Sequence, residues 1–111
     1  MTTYSSEQPD RADLDATEGP AVVIFGTTWC GHCLAADRYL TPALAAHPQV
    51  PVIAVEDGKG RRLGRSYRVK LWPTVIFLRD GVEVDRVVRP TGRAMIDAAL
   101  ATIIQKGPAT T

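Results

Sequence analysis

The chain is short of the features that would place its function elsewhere. It has two cysteines in 111 residues, too few for a disulfide-framed scaffold. Lysine plus arginine number 13 against 12 aspartate plus glutamate, and a net charge of +1 gives no case for nucleic acid or anionic membranes as partners. No apolar run nears the ~20 residues that span a bilayer. Aromatic side chains are scarce at 6%, which makes the placing of each tryptophan informative. Met1 to Asp10 has neither a basic n-region nor an apolar h-region, and this predicts no secretory signal and a cytoplasmic location. What remains is one ordinary domain, with 45% hydrophobic residues to build a core.

Hydrophobic patterning sets out the elements. Residues 1–9 are polar and predicted mobile. Asp10 to Thr17 reads as a short helix capped by Asp10, with Leu14 its one large apolar residue. After Glu18-Gly19-Pro20, Ala21 to Phe25 is continuously apolar and β-branched, the pattern of a strand buried on both faces. Gly31 to about Ala46 reads as a helix with Ala36, Leu40 and Leu44 on one stripe, and Pro42 predicts a kink or break. Val50 to Val55 is expected as a second buried strand and Arg61 to Tyr67 as a helical turn with Leu63 inward. Thr74 to Leu78 and Val82 to Val88 form a hairpin around Asp80-Gly81, the second strand at an edge. Thr91 is expected to cap a last helix that buries Ile96, Leu100 and Ile104 beside Met95, Ala99 and Ile103, with Gly107-Pro108 as its stop.

The order β-α-β, connector, hairpin, helix demands a parallel first pair joined through the intervening helix. The fold class is therefore α/β, a mixed sheet with helices on both faces. Residues 1–18 stand apart as a tail with a short helix, 19–106 as the domain and 107–111 as a C-terminal tail.

Both cysteines lie in one run, Trp29-Cys30-Gly31-His32-Cys33, where a buried strand gives way to a helix. A disulfide across two intervening residues closes a very short loop and constrains the unfolded chain little, so it is a poor staple. It suits a bond that is made and broken. At a helix start, unpaired backbone N–H groups and the helix dipole favour the thiolate of Cys30. His32, when protonated, adds a cation. A thiol with a pKa near ~8.5 is only about 3% ionised at pH 7, whereas one shifted to about 6 is roughly 90% ionised. Cys33, one turn deeper, is the candidate resolving thiol, attacking a mixed disulfide formed at Cys30. The rival readings are a metal site, for which Cys30, Cys33 and His32 offer three ligands where zinc wants four, and an inert buried pair.

The run resembles the thioredoxin superfamily, and Cys-Gly-His-Cys in particular is similar to protein disulfide isomerase domains. Trp72-Pro73-Thr74, entering the third strand, resembles the family's cis-proline motif. The resemblance covers roughly Gly19 to Lys106. It implies a thioredoxin fold with a four- or five-stranded mixed sheet. It also implies a peptide site that Pro73 and Thr74 shape next to the dithiol, with backbone hydrogen bonds offered to a bound peptide. Three positions depart from the family pattern. The buried acid six residues before the first cysteine is Ile24 here, its lysine partner is Val52 or Ile53, and the glycine after the last strand is replaced by Arg89-Pro90. The base that deprotonates Cys33 is thus left open between water and another group, and the fold's first strand is not evident.

Trp29 and Trp72 are the only tryptophans, and both fall within these motifs. They serve either as packing or as an apolar rim for a substrate peptide. The basic set Lys59, Arg61, Arg62, Arg65, Arg68 and Lys70 reads as a solvated face or as a docking surface for acidic partners. Asp37 and Tyr39 have no reading beyond helix surface. The chain is thus expected to be a monomeric thiol–disulfide oxidoreductase. It would reduce protein disulfides with no bound cofactor beyond the Cys30–Cys33 disulfide, and a reductase or small thiol would recycle it. Its potential is expected between about −270 and about −180 mV, the values for thioredoxin and the isomerase. The alternatives are an oxidase or isomerase, or a binding or metal-binding module without turnover.

Overall fold

The computed structural model describes residues 2–104. The unbroken apolar run after Pro20 forms β1 (Pro20–Gly26), in which every residue from Ala21 onward is buried. Gly31–Ala45 is α2, preceded in the chain by a five-residue helix α1 (Arg11–Asp15). The remaining elements are β2 (Val52–Glu56), α3 (Arg62–Ser66), β3 (Thr74–Arg79), β4 (Val82–Val88) and α4 (Arg93–Ile104). The strands form one sheet in the order β2-β1-β3-β4. β1 and β2 run parallel, with Ile24 opposite Ala54, while β1–β3 and β3–β4 are antiparallel. This is the thioredoxin fold: α/β, with a mixed four-stranded sheet among the described residues.

Side chains alternate across the strands, so the two central strands feed two cores. Val22, Ile24, Val75 and Phe77 face α2 and α4 and pack with Cys33, Leu40, Ile96 and Leu100. Ala21, Val23, Phe25, Ile76 and Leu78 face the opposite way, against Leu14 of α1 and Leu63 and Tyr67 around α3. Burial on both faces is why β1 and β3 read as continuous hydrophobic runs.

Several expectations are corrected. β2 is an edge strand, with Val52 42% exposed and Ile53 and Ala54 half-buried, because no full strand lies outside it. The segment expected to be loose covers that edge instead. Ser5 forms a parallel bridge with Val55, giving its N–H to Ala54 O (2.9 Å) and accepting from the Glu56 N–H (2.9 Å). Tyr4 is buried in the α2/α4 core, and Thr2 is tied to the Asp37 carboxylate. A polar run hides this, because two strand-like hydrogen bonds and a single aromatic anchor leave no periodicity to read. α2 runs through Pro42, which sits in its last turn and still accepts from the Ala46 N–H (3.2 Å). Asp10 occupies the N-cap of α1 without capping it through its side chain. In α4, Ile96, Ala99, Leu100 and Ile103 are buried, while Met95 is exposed and Ile104 only half-buried. The expected stop at Gly107-Pro108 and the tail 107–111 lie outside the described residues.

Candidate active site

The carboxyl end of β1, the amino end of the antiparallel β3 and the start of α2 converge on the two sulfurs. β1 delivers Gly26 and Thr27, the chain turns through the exposed Trp29, and Cys30 becomes the N-cap of α2 with extended backbone (φ −79°, ψ 122°). The Cys30 carbonyl accepts the first helical bond, from the Leu34 N–H (3.0 Å). Both cysteines are free, Cys30 half-exposed and Cys33 1% exposed.

The two thiols are displaced in opposite directions. Burial would raise Cys30, but the backbone N–H and thiol of Cys33, the His32 N–H and the charge of Arg89 outweigh it and hold Cys30 below its ordinary value. Burial pushes Cys33 up to about 11, helped by the neighbouring Cys30 and opposed by the Thr27 backbone and the Tyr4 hydroxyl. At neutral pH the outer sulfur is therefore the better nucleophile, and the inner one is kept as a thiol.

The structure brings the predicted site residues together around this pair. The Trp72–Pro73 peptide bond is cis, and Thr74, buried behind it, donates through its hydroxyl to the Leu71 carbonyl (2.6 Å). Trp29 and Trp72 meet edge to face with centroids 5.8 Å apart, and Trp29 is 74% exposed. His32 is exposed and acts on Cys30 through its main chain, and a Cβ on Gly31 would meet nothing within 4 Å. A groove of about 540 Å³ runs from Trp72 along Asp57, Arg61, Arg65, Arg68 and Lys70. Another of about 470 Å³ is lined by His32, Arg38, Tyr39, Arg89, Pro90 and Thr91. Extended polypeptide could lie across this rim and present a disulfide to Cys30.

Four further residues shape the site without having been picked out from the sequence. Asp57 accepts from the Trp72 indole N–H (2.8 Å) and fixes that ring. Arg89 supplies the cation beside Cys30, gives its guanidinium Nε–H to the Trp72 carbonyl (2.9 Å) and its N–H to the Pro73 carbonyl (2.9 Å). Its φ of +50° lies in the left-handed region that glycine tolerates best. Gly26 leaves room for the inner sulfur, since a Cβ there would lie 2.6 Å from Cys33 Sγ and 2.9 Å from the Tyr4 hydroxyl. Tyr4 is the fourth. Only Arg89, standing where the family pattern has glycine, had a sequence signal; Asp57 on a loop, Gly26 at the end of β1 and Tyr4 on the N-terminal segment meet the site only in the folded chain.

Among the described residues, no group of three or more His, Cys, Asp or Glu side chains is placed to hold a metal ion, and no helix is long and apolar enough to cross a membrane.

Comparison with known proteins adds a family context. The thioredoxin family model matches residues 4–102. Thioredoxin 2 from Pseudomonas aeruginosa PAO1, solved in its reduced form, superposes with a TM-score of 0.83 at 52% identity, over 93% of this chain and 95% of that one. A thioredoxin from Chlamydia trachomatis is 38% identical over 85 residues, covering 73% of this chain and 78% of that protein. The TPR repeat-containing thioredoxin TDX of Arabidopsis thaliana is 35% identical over 71 residues, which is 60% of this chain and 18% of that much longer protein.

Proposed function

The chain belongs to the thioredoxin family and is a thiol–disulfide oxidoreductase of the thioredoxin type; on that premise we propose that it reduces disulfides in protein substrates through Cys30 and Cys33. The Cys30 thiolate attacks one substrate sulfur, a Cys30–substrate disulfide forms, and the other substrate sulfur leaves with the bonding pair. Cys33, having lost its proton, attacks Cys30 Sγ and closes the Cys30–Cys33 disulfide. The second substrate sulfur leaves as a thiolate and is protonated, so the substrate gains two electrons and the protein loses them. The observation that carries this reading is the opposite displacement of two thiols three residues apart, the outer one down and the buried one up to about 11.

Trp29, Trp72, Pro73 and Thr74 form the peptide rim in this reading, and Gly31 and His32 tune Cys30 through the helix start. The His32 between the cysteines gives the motif its protein-disulfide-isomerase character, and its potential lies between those of the isomerase and thioredoxin. A reductase or a low-molecular-weight thiol returns the dithiol, and the protein works as a monomer in the cytoplasm. Insulin reduction by dithiothreitol, followed as turbidity, tests the activity. Catalytic amounts of protein should speed precipitation, and Cys33→Ser should accumulate covalent substrate adducts at Cys30. An unaccelerated reaction overturns the reading in favour of a binding module. Recovery of scrambled disulfide substrates faster than insulin reduction would favour an isomerase.

A further inference from the structure

The inner sulfur poses a problem that the outer one does not. Cys33 must ionise to close the disulfide, yet it is 1% exposed, and the β1 position across from it is hydrocarbon, Ile24. A side chain with a polar tip reaches that space from outside the sheet. Tyr4 is buried in the same cluster as Cys33 and Ile24, and its hydroxyl has no hydrogen-bond partner among the described residues. The point that a methyl on Gly26 would occupy lies 2.6 Å from Cys33 Sγ and 2.9 Å from the Tyr4 hydroxyl, so the glycine keeps open the pocket in which the two groups meet.

We propose that the Tyr4 hydroxyl is the hydrogen-bond donor that receives the Cys33 sulfur as it ionises, in a place where no acid is available to help. The inference rests on Cys33 being the resolving thiol. A buried hydroxyl without a partner costs free energy, and such a cost is tolerated at sites where a transient state repays it. The neighbours agree on the direction of the bond. Tyr4 is held neutral by burial first and then by the negative charge of Cys33, Asp37 and Cys30, so it enters the pocket as a donor. Cys33 in turn faces Cys30, which opposes its ionisation, and Tyr4, which favours it. The segment carrying Tyr4 is fastened on both sides, by Thr2 on Asp37 one helical turn beyond Cys33 and by Ser5 on β2. Tyr4 is therefore a positioning residue: it holds no electrons or protons in transit but lowers the cost of a buried thiolate.

A coloured aromatic disulfide separates the two chemical steps. Mixed at one equivalent with the reduced protein, it releases one thiolate when Cys30 attacks and a second when Cys33 resolves. Tyr4→Phe removes only the oxygen. The first phase should stay within twofold. The second should slow about tenfold at neutral pH, and its rising pH limb should move up by about one unit, equal to about 1.4 kcal/mol. The melting temperature of the oxidised variant should hold or rise, because an unpartnered buried hydroxyl is gone. A purely structural role predicts the reverse, lower melting with both phases affected, and that pattern overturns the proposal. So does a second phase indifferent to the substitution. If Tyr4→Phe fails to fold, fluorotyrosine inserted at position 4 alone decides the matter: its stronger donor should speed the second phase, and no change refutes the role. Absence of the first phase in the unaltered protein would sink the reading of Cys30, and this inference with it; a normal first phase with a Tyr4-independent second sinks this inference alone.

Discussion

Cys30 and Cys33 share one helical turn and little else. The outer sulfur sits at a wet rim, flanked by two tryptophans, an arginine and open grooves, and every device around it works by exposed dipoles or charge. The inner sulfur sits in a dry floor walled by Ile24, Tyr4 and the bare backbone of Gly26, where packing decides what is possible. Polarity at the rim stabilises an anion before the reaction; burial at the floor withholds one until the mixed disulfide has formed. The order of attack follows from this contrast, since a protein with two equally ionised thiols would have no reason to begin at either.

The contrast breaks most completely when the sulfurs are exchanged for oxygen one at a time. Cys30→Ser should remove disulfide reduction entirely, with a loss beyond a thousandfold in insulin turnover. Cys33→Ser should leave the first attack intact and stall afterwards, visible by mass spectrometry as a stable adduct. A Cys33→Ser variant with full turnover would mean that the floor does not participate.

Filling the floor is the next largest change. Gly26→Ala places a methyl against Cys33 Sγ and the Tyr4 ring at 2.6–3.1 Å, closer than side chains pack without moving. An overfilled core of this kind costs about 1–3 kcal/mol, which in a domain of this size lowers the melting temperature by roughly 4–8 °C per kcal/mol. Calorimetry should show that loss, along with a disturbed Cys33 and a nearly normal alkylation rate at Cys30. Equal damage at both sulfurs would mean that rim and floor are not separable.

Much of the rim could be read from the chain, and almost none of the floor. The strand-to-helix junction is announced by a β-branched run followed by Cys30-Gly31-His32-Cys33, a local pattern with local consequences, whereas Trp72-Pro73-Thr74 marks the other wall only through its resemblance to the family motif. Ile24 could be recognised as a missing acid, but nothing near it in sequence names a substitute. The replacement lies twenty residues upstream, in a polar segment held by long-range bonds from Ser5 to β2, Thr2 to Asp37, Ser6 to Arg61 and Gln8 to Glu56 and Leu63. Long-range closure of that kind leaves no period in the sequence. The same blindness made β2 look like a fully buried strand: its hydrophobicity is real, yet Val52 stays 42% exposed because, among the described residues, a single bridge lies beyond it.

Alkaline titration reads the floor on its own. Cys33, raised to about 11 by burial, keeps its proton in the folded state while the unfolded chain gives it up near ~8.5. Between those values the unfolded state binds fewer protons, so the stability of the reduced protein should fall as pH rises, by about 1 kcal/mol per unit, and the Tyr4 and Tyr67 hydroxyls, also raised by burial, add to the fall above about 10. Cys30 is shifted the other way and contributes stability that grows with pH below that window. Denaturant melts from pH 8 to 11 should therefore show a falling limb that Cys33→Ser flattens. A limb unchanged by the substitution would put the buried charge elsewhere.

The smallest effect concerns the cation that acts on Cys30. Arg89 adopts a φ of +50°, a conformation that costs a non-glycine residue about 1–2 kcal/mol. Glycine would remove that strain and keep the main-chain bond from residue 89 to the Pro73 carbonyl; it would forfeit only the guanidinium, with its 2.9 Å bond to the Trp72 carbonyl and its charge near Cys30. Arg89→Gly should thus leave stability within about 1 kcal/mol, because relief of strain offsets the lost hydrogen bond. The iodoacetamide profile of Cys30 should move up by less than one pH unit, slowing alkylation at pH 7 a few-fold. Arg89→Lys retains the charge without the fork and should sit close to the unaltered protein, and raising ionic strength should narrow the gap between arginine and glycine as the charge is screened. A glycine variant with an unshifted profile would leave the helix start alone responsible for the outer thiolate, and the arginine would then be a strained residue with no electrostatic return.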